Sequence, residues 1–156
     1  MLKISKASQY GLRAVICLSE PKFRDTVASI QHIADVAEIP VDFLRKLVIE
    51  LKKAGIVKTK AGNNGGIQLA KEPEGISVLE VLEASGEKMY LNECVLNPSE
   101  CPQYKECSIR PVWVEQTYWL RDHFDTITIT DLLEEQKTCE SELHQDTESR
   151  EIAVNA

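Results

Sequence analysis

The sequence predicts a mainly α-helical protein that carries one small β-hairpin. Apolar residues recur at helical spacing in several stretches, and one glycine- and asparagine-rich turn joins two short strand-like segments. The chain has 156 residues, of which 43% are hydrophobic and 28% charged, as in a soluble globular domain with appendages. These observations exclude a fibrous or wholly disordered chain.

Three helices are predicted in the first third of the chain. The first spans about 5–18, and Ser29 is a candidate N-cap for the second. Pro40 fits the start of the third helix, at about 41–54, because the missing N–H of proline costs little there. Gly55 then suits the left-handed conformation that ends a helix.

A β-hairpin follows, since the segments 56–60 and 67–70 flank a turn rich in glycine and asparagine. Helices and hairpin in this order predict a winged helix-turn-helix domain over 1–85. Within it, Ser77 and Glu80 form a capping box that opens a further short helix.

The rest of the chain divides into three parts. Regularity fades over 86–107, which predicts a loop. A long amphipathic helix at about 108–124, followed by a short turn and helix, makes up 108–133. From Glu134 onward seven acidic residues face two basic ones with almost no apolar content, so 134–156 is predicted to be a disordered acidic tail.

The net charge of −7 is unevenly distributed. Residues 1–90 contain 13 Lys and Arg against 11 Asp and Glu, whereas residues 91–156 contain 5 against 14. The charge of the whole chain is therefore a poor guide to whether the first domain binds DNA. Because its positive excess is small, we expect a homodimer, which would double the basic contacts.

A winged domain of this kind binds double-stranded DNA with its third helix in the major groove and its hairpin over phosphates. By position, Asp42, Arg45 and Lys46 are expected to face base edges or the flanking backbone. The phosphate-facing candidates are Lys52, Lys53, Lys58, Lys60, Asn63 and Asn64. A solvated surface charge explains any one of these lysines equally well, so the prediction rests on the cluster.

Cys94, Cys101 and Cys107 lie close together in the predicted loop. The chain shows neither a signal-peptide pattern nor an apolar run of membrane-spanning length, so we expect a cytoplasmic protein that does not contact a membrane. Five cysteines in a reducing compartment indicate metal or redox chemistry rather than disulfides. The polar sequence between the three argues against inert buried thiols.

The spacing of these cysteines favours an iron–sulfur cluster over zinc. Structural zinc takes four protein ligands, usually with one two-residue Cys spacing that this segment lacks. Iron–sulfur clusters are held by thiolates. The spacing does not distinguish a 2Fe–2S from a 4Fe–4S cluster. A zinc-stabilised or cluster-free regulator that acts through a protein partner, or a metal-free thiol redox sensor, stays open as an alternative.

The other residues with possible chemistry have simpler explanations. Cys17 lies in an apolar stretch and suits the core, and Cys139 is expected to be a free thiol in the tail. His32, His123 and His144 lack partners at metal-binding spacing. Since no phosphate-binding loop, nucleophile elbow or paired-carboxylate site is visible, we expect no enzymatic activity.

Four segments together resemble the Rrf-two family of bacterial winged-helix transcription regulators, which includes IscR-, NsrR-, RirA- and CymR-like proteins. They are Phe43–Leu47, the hairpin Gly62–Leu69, the three-cysteine loop and the closing Ile127–Leu133. The resemblance covers about 1–133. It implies a homodimer joined by the long helix at about 108–124, an operator of dyad symmetry, and a cluster bound by the three cysteines.

The chain departs from this family at three places. Ala61 stands where family hairpins usually carry an arginine, so Lys60 is expected to serve instead. Arg110 stands where some members have a ligating histidine, and Ser8 and Gln9 occupy the region where others have a ligating aspartate. The resemblance therefore leaves the fourth cluster ligand unassigned.

Overall fold

The computed structural model describes residues 3–138, which contain seven α-helices and one two-stranded antiparallel sheet. The elements are α1 (Lys6–Ser19), α2 (Ile30–Val36), α3 (Val41–Lys53), β1 (Val57–Lys60), β2 (Gly66–Leu69), α4 (Val78–Ala84), α5 (Glu93–Leu96), α6 (Arg110–Thr126) and α7 (129–138). This order confirms the predicted fold class.

Serine side chains cap the N-termini of three helices. The hydroxyl of Ser5 accepts a hydrogen bond from the backbone of Ser8 at 3.2 Å, and that of Ser29 caps α2 in the same way at 3.1 Å. Ser77 forms the predicted capping box at α4. At the other end of α3, Gly55 has φ +72°, a conformation that a side chain would strain. The local signals predicted from the sequence therefore act as expected.

The hairpin, or wing, is fixed to the segment before α2. Ala28 and Ile67 exchange backbone hydrogen bonds of 3.0 and 2.8 Å. At Gly66 a Cβ atom would lie 2.0 Å from the carbonyl oxygen of Ala28, so only glycine allows this approach. Along β1 and β2, Val57, Ile67 and Leu69 are buried. The wing is thus held in a fixed position relative to the helices.

Two apolar clusters join the wing, the first three helices and α6. The larger cluster includes Leu18, Leu44 and Ile67, and the smaller one centres on Leu82 with Phe124 of α6 packed against it. Phe43 is half-buried at the surface of the core, where its ring packs edge-on against Tyr10.

Polar contacts also attach α6 to the winged domain. The hydroxyl of Ser77 donates to the carboxylate of Asp125 at 2.8 Å, and Arg121 pairs with Glu83 at 2.6 Å. Together with the packing of Phe124, these two contacts attach the long helix to the α4 region of the domain that carries α3.

Two predictions of irregular structure need correction. The segment 86–107 contains the one-turn helix α5 and a 3-10 turn at Pro98–Glu100, both closed by local backbone hydrogen bonds. Helix α7 continues to residue 138, past the predicted start of the tail at Glu134. Thr128 begins α7, since its hydroxyl and backbone both bond to Asp131. The remaining tail, 139–156, and with it Cys139 and His144, lies outside the described residues.

No helix among residues 3–138 is long and apolar enough to cross a membrane.

Candidate functional site: a DNA-binding face and a cysteine cavity

Helix α3 presents one exposed face and one buried face. Its buried residues are Leu44, Leu47, Val48 and Leu51. The opposite face exposes Asp42, Arg45, Lys46, Ile49 and Lys53. The sequence analysis predicted the charged positions correctly as surface residues, but it assigned no role to Ile49.

The charged residues of this face are paired unequally. Arg45 contacts Asp42 at 3.2 Å, and Lys53 contacts Glu50 at 2.7 Å. Both are exposed pairs three residues apart, a kind worth only a fraction of a kcal/mol, about 0.3–0.5. Lys46 makes no ion pair within residues 3–138. All of these cations are therefore available to an anionic ligand at little cost.

The wing continues the basic surface of α3. The ammonium group of Lys52 donates to the hydroxyl of Thr59 at 3.0 Å, which joins the end of α3 to β1. Lys58 and Lys60 are exposed along β1. Asn63 and Asn64 are exposed at the tip. The nine predicted DNA-binding residues thus lie on the surface of α3 and of the wing.

The three clustered cysteines share one cavity of about 340 Å³. All three are free thiols and partly buried. The other lining residues are Asn92, Glu93, Asn97, Glu100, Ile109 and Trp113. Cys17 is also a free thiol, but it is buried in the core, and burial raises its pKa to about 11. It therefore stays protonated at neutral pH and does not compete as a ligand.

The two carboxylates in the cavity wall differ in their contacts. Glu93 accepts hydrogen bonds from the hydroxyl of Tyr90 at 2.7 Å and from the amide of Asn97 at 2.8 Å, and the first of these is the larger cause of its lowered pKa. Glu100 has no side-chain hydrogen bond or ion pair among the described contacts of residues 3–138. Glu93 thus links Tyr90 to Asn97, whereas the carboxylate of Glu100 has no partner among the described residues.

Two residues that the sequence analysis considered in the search for a fourth ligand are otherwise engaged. Arg110 turns its guanidinium to the carbonyl oxygen of Cys94, with Nε donating at 3.3 Å. Ser8 is fully buried, and its hydroxyl donates to Glu87 at 2.7 Å. Since both side chains are committed within the chain, neither lies at the cavity as a metal ligand.

No three His, Cys, Asp or Glu side chains among residues 3–138 converge closely enough to hold a single metal ion. In a cluster, by contrast, the thiolates are distributed over two or four iron atoms, so the three sulfurs need not all meet at one point. Three partly buried thiols around a common space fit the donor set of such a cluster.

Helix α6 has two apolar faces. Leu120 and Phe124 pack against the smaller core cluster. Ile109, just before the helix, and Val112 and Trp119 on it are instead 46%, 42% and 62% exposed. Together with Gln116 and His123, these three follow alternating spacings of three and four residues, and we call this set the α6 stripe.

The cavity and α6 are directly connected. Ile109 and Trp113, at the start of α6, form part of the cavity wall. The backbone N–H of Leu91 donates to the hydroxyl of Thr117 at 3.1 Å. Thr117 was not predicted as a functional residue, because nothing in the sequence links it to a residue 26 positions earlier.

Comparisons with known proteins agree with this architecture. Residues 4–135 match the Rrf2 family, described as "Iron-dependent Transcriptional regulator". The transcriptional regulator NsrR of Shouchella clausii is 35% identical over 107 residues, covering 63% of this chain and 70% of that protein. Protein rrf2 of Nitratidesulfovibrio vulgaris is 32% identical, covering 88% and 91%.

A solved structure shares the fold. CymR, described as the global cysteine regulator of B. subtilis, superposes with a TM-score of 0.67 at 27% identity, covering 86% of this chain and 98% of that one. The similarity therefore extends through the winged domain, the segment 86–107 that carries the three cysteines (the cysteine segment) and α6.

Proposed function

Because this chain belongs to the Rrf2 family of transcription regulators, we propose that it is a homodimeric, cytosolic repressor whose DNA binding responds to an iron–sulfur cluster on Cys94, Cys101 and Cys107. Like its relatives, which are transcription regulators, it is a DNA-binding regulator and not an enzyme. The single observation that carries the sensor proposal is the shared cavity of the three thiols.

The exposed face of α3 supports DNA contact. Lys46 makes no ion pair among residues 3–138, and it shares this face with Asp42 and Arg45, where an inserted helix meets base edges. The phosphate contacts are assigned to Lys52, Lys53, Lys58, Lys60, Asn63 and Asn64, which continue the same surface onto the wing.

The α6 stripe supports a homodimer. Its positions repeat at spacings of three and four residues from 109 to 123, and three of them are the exposed apolar residues Ile109, Val112 and Trp119, as in a helix that packs against a partner helix. A second copy of the chain would cover both stripes through one two-fold axis. The two α3 helices would then meet half-sites related by the same axis, which predicts an operator of dyad symmetry.

The cysteine cavity supports the cluster. Cys94, Cys101 and Cys107 would hold it through thiolates, and the part-buried setting limits access of water. When bound, the cluster would supply iron that changes redox state or reacts with nitric oxide. Three thiolates around this cavity suit either a 2Fe–2S or a 4Fe–4S cluster.

The chain's own contacts provide a route from the cavity to the DNA. A change in the position of Cys107 is passed to Ile109 and Trp113, because these residues share the cavity wall. Helix α6 is bonded to the winged domain through Asp125 and Arg121, so the spacing of the two α3 helices follows the shape of the dimer. A coupling of about 1–3 kcal/mol would change operator affinity roughly 5- to 150-fold.

The test is to purify the full chain without oxygen and measure iron, sulfide and the visible absorption spectrum. We expect a brown protein that contains iron and sulfide, and a colourless Cys101→Ala variant. Cys17→Ala is the matched control, since it removes a buried thiol outside the cavity and should leave the colour unchanged.

Two other outcomes would overturn the cluster. A colourless protein with bound zinc, or with no metal, would favour a regulator that acts through a protein partner. A colourless protein that loses two protons in mass after mild oxidation would favour a thiol redox sensor.

A further inference from the structure

We propose that Ile49 recognises a thymine in the operator, by packing its side chain against the C5 methyl group in the major groove. The proposal rests on the proposed function in one respect only, that α3 enters the major groove.

Ile49 lies in the middle of the charged face of α3. It comes seven residues after Asp42, so at 3.6 residues per turn the two positions differ by only about 20° around the helix. Arg45 and Lys46 flank it on either side. Its side chain is 54% exposed, and it belongs to neither apolar cluster of the described residues.

A single exposed apolar residue is common on protein surfaces and needs no explanation by itself. The surroundings of Ile49 are what matter. Every other member of this face is charged, and Lys46 has no acidic partner in the described part of the chain. Arg45, Lys46 and Lys53 surround Ile49 with cations, and the carboxylate of Asp42 beside it is paired with Arg45. Such a face is complementary to a groove lined by phosphates that contains an apolar group.

The thymine methyl is the apolar group that base pairs display in the major groove. A second protein chain is a poorer occupant, because the extended apolar surface of this molecule lies on α6, where Trp119 and Val112 are exposed. An isoleucine also has no hydrogen-bonding group, so it cannot recognise the donors and acceptors of the other base edges. Position and chemistry therefore agree on thymine.

The experiment removes the methyl group from the DNA and the side chain from the protein. A high-affinity duplex is first selected by the full-length protein from a random-sequence library. Each thymine is then replaced in turn by deoxyuridine, which lacks only the methyl group, and affinity is measured by fluorescence anisotropy. We expect that replacing one particular thymine in each half-site, the two being related by the dyad, lowers affinity about three- to tenfold.

Ile49→Ser should bind the thymine duplex more weakly and should no longer distinguish it from the deoxyuridine duplex. Val36→Ser is the matched control, because Val36 is a similarly exposed β-branched residue on α2. This variant should keep the full difference between the two duplexes. Since Ile49 is outside the core, both variants should unfold at nearly the wild-type temperature.

Two results would overturn the proposal while leaving DNA binding intact: no thymine is sensitive to loss of its methyl group, or Ile49→Ser keeps the same sensitivity as wild type. If the protein selects no DNA sequence at all, the proposed function fails, and the role of Ile49 fails with it.

Discussion

Leu91 and Thr117 join the cysteine segment to the middle of α6, through a hydrogen bond of 3.1 Å from the backbone N–H of Leu91 to the threonine hydroxyl. Thr117 is 3% exposed and Leu91 is 37% exposed, so this bond is partly shielded from water. Any rearrangement around Cys94, three residues after Leu91, therefore acts on α6 directly.

The first prediction concerns the loss of this hydrogen bond. Thr117→Val keeps the shape of the side chain but removes the hydrogen-bond partner of the Leu91 N–H, which should cost about 0.5–1.5 kcal/mol of unfolding free energy. In denaturant unfolding the variant should be less stable than Thr126→Val, whose hydroxyl bonds only within α6 at its exposed end. Equal stability of the two variants would show that the bond contributes nothing.

The second prediction concerns the salt dependence of DNA binding. Lys46→Ala should weaken binding to all sequences and reduce the slope of log affinity against log salt by about 1, if Lys46 contacts a phosphate. A change restricted to one base position would indicate a base contact instead. Lys105→Ala removes the same charge from the cysteine segment and should leave the slope unchanged. An unchanged slope and affinity in Lys46→Ala would contradict the assigned DNA face.

The third prediction tests the α6 stripe. Trp119→Glu places a charge where two stripes would meet, and should weaken self-association at least tenfold in sedimentation equilibrium. Tyr118 is equally exposed but lies about 100° away around the helix. Tyr118→Glu should therefore stay dimeric. A dimer that tolerates Trp119→Glu would place the interface elsewhere.

The fourth prediction is a dependence of stability on pH through Glu87. Its carboxylate accepts a hydrogen bond from the backbone N–H of Ser5 at 2.9 Å and another from the hydroxyl of Ser8, and the first is the main cause of its lowered pKa. A lowered folded-state pKa gives a contribution that is complete above the ordinary value of 4.5 and is lost as the pH falls through the lower folded value.

Glu87→Gln should consequently be less stable than wild type in urea unfolding at about pH 6, and this difference should shrink as the pH falls toward about 3. Glu106→Gln, at an exposed carboxylate of the cysteine segment, is the control and should show a much smaller difference. A gap between wild type and Glu87→Gln that stays constant over this range would refute the assignment.

Much of the winged domain could be predicted from the sequence because its signals are local. The caps at Ser29 and Ser77 and the terminator Gly55 each depend on residues within one turn of the chain. The need for glycine at position 66 is different, since it arises from the carbonyl oxygen of Ala28, which is close only after folding.

Of the candidate site, only the three thiol ligands could be predicted from the sequence. The sequence placed three thiols in one segment, and the structure adds that they share a cavity with Trp113 of α6. That Ser8 is unavailable as a ligand depends on Glu87, which lies 79 residues later in the chain. Likewise, the division of α6 into a packed and an exposed face depends on where α4 lies. Such long-range contacts leave no local pattern.

The most direct test of the central claim is the operator affinity of one anaerobic preparation, measured before and after its cluster is removed by a chelator. We expect wild type to change affinity roughly 5- to 150-fold, and Cys101→Ala to show the same affinity with and without the treatment. Equal wild-type affinity in the two states would contradict a switch that runs from the cysteine cavity through α6 to the DNA.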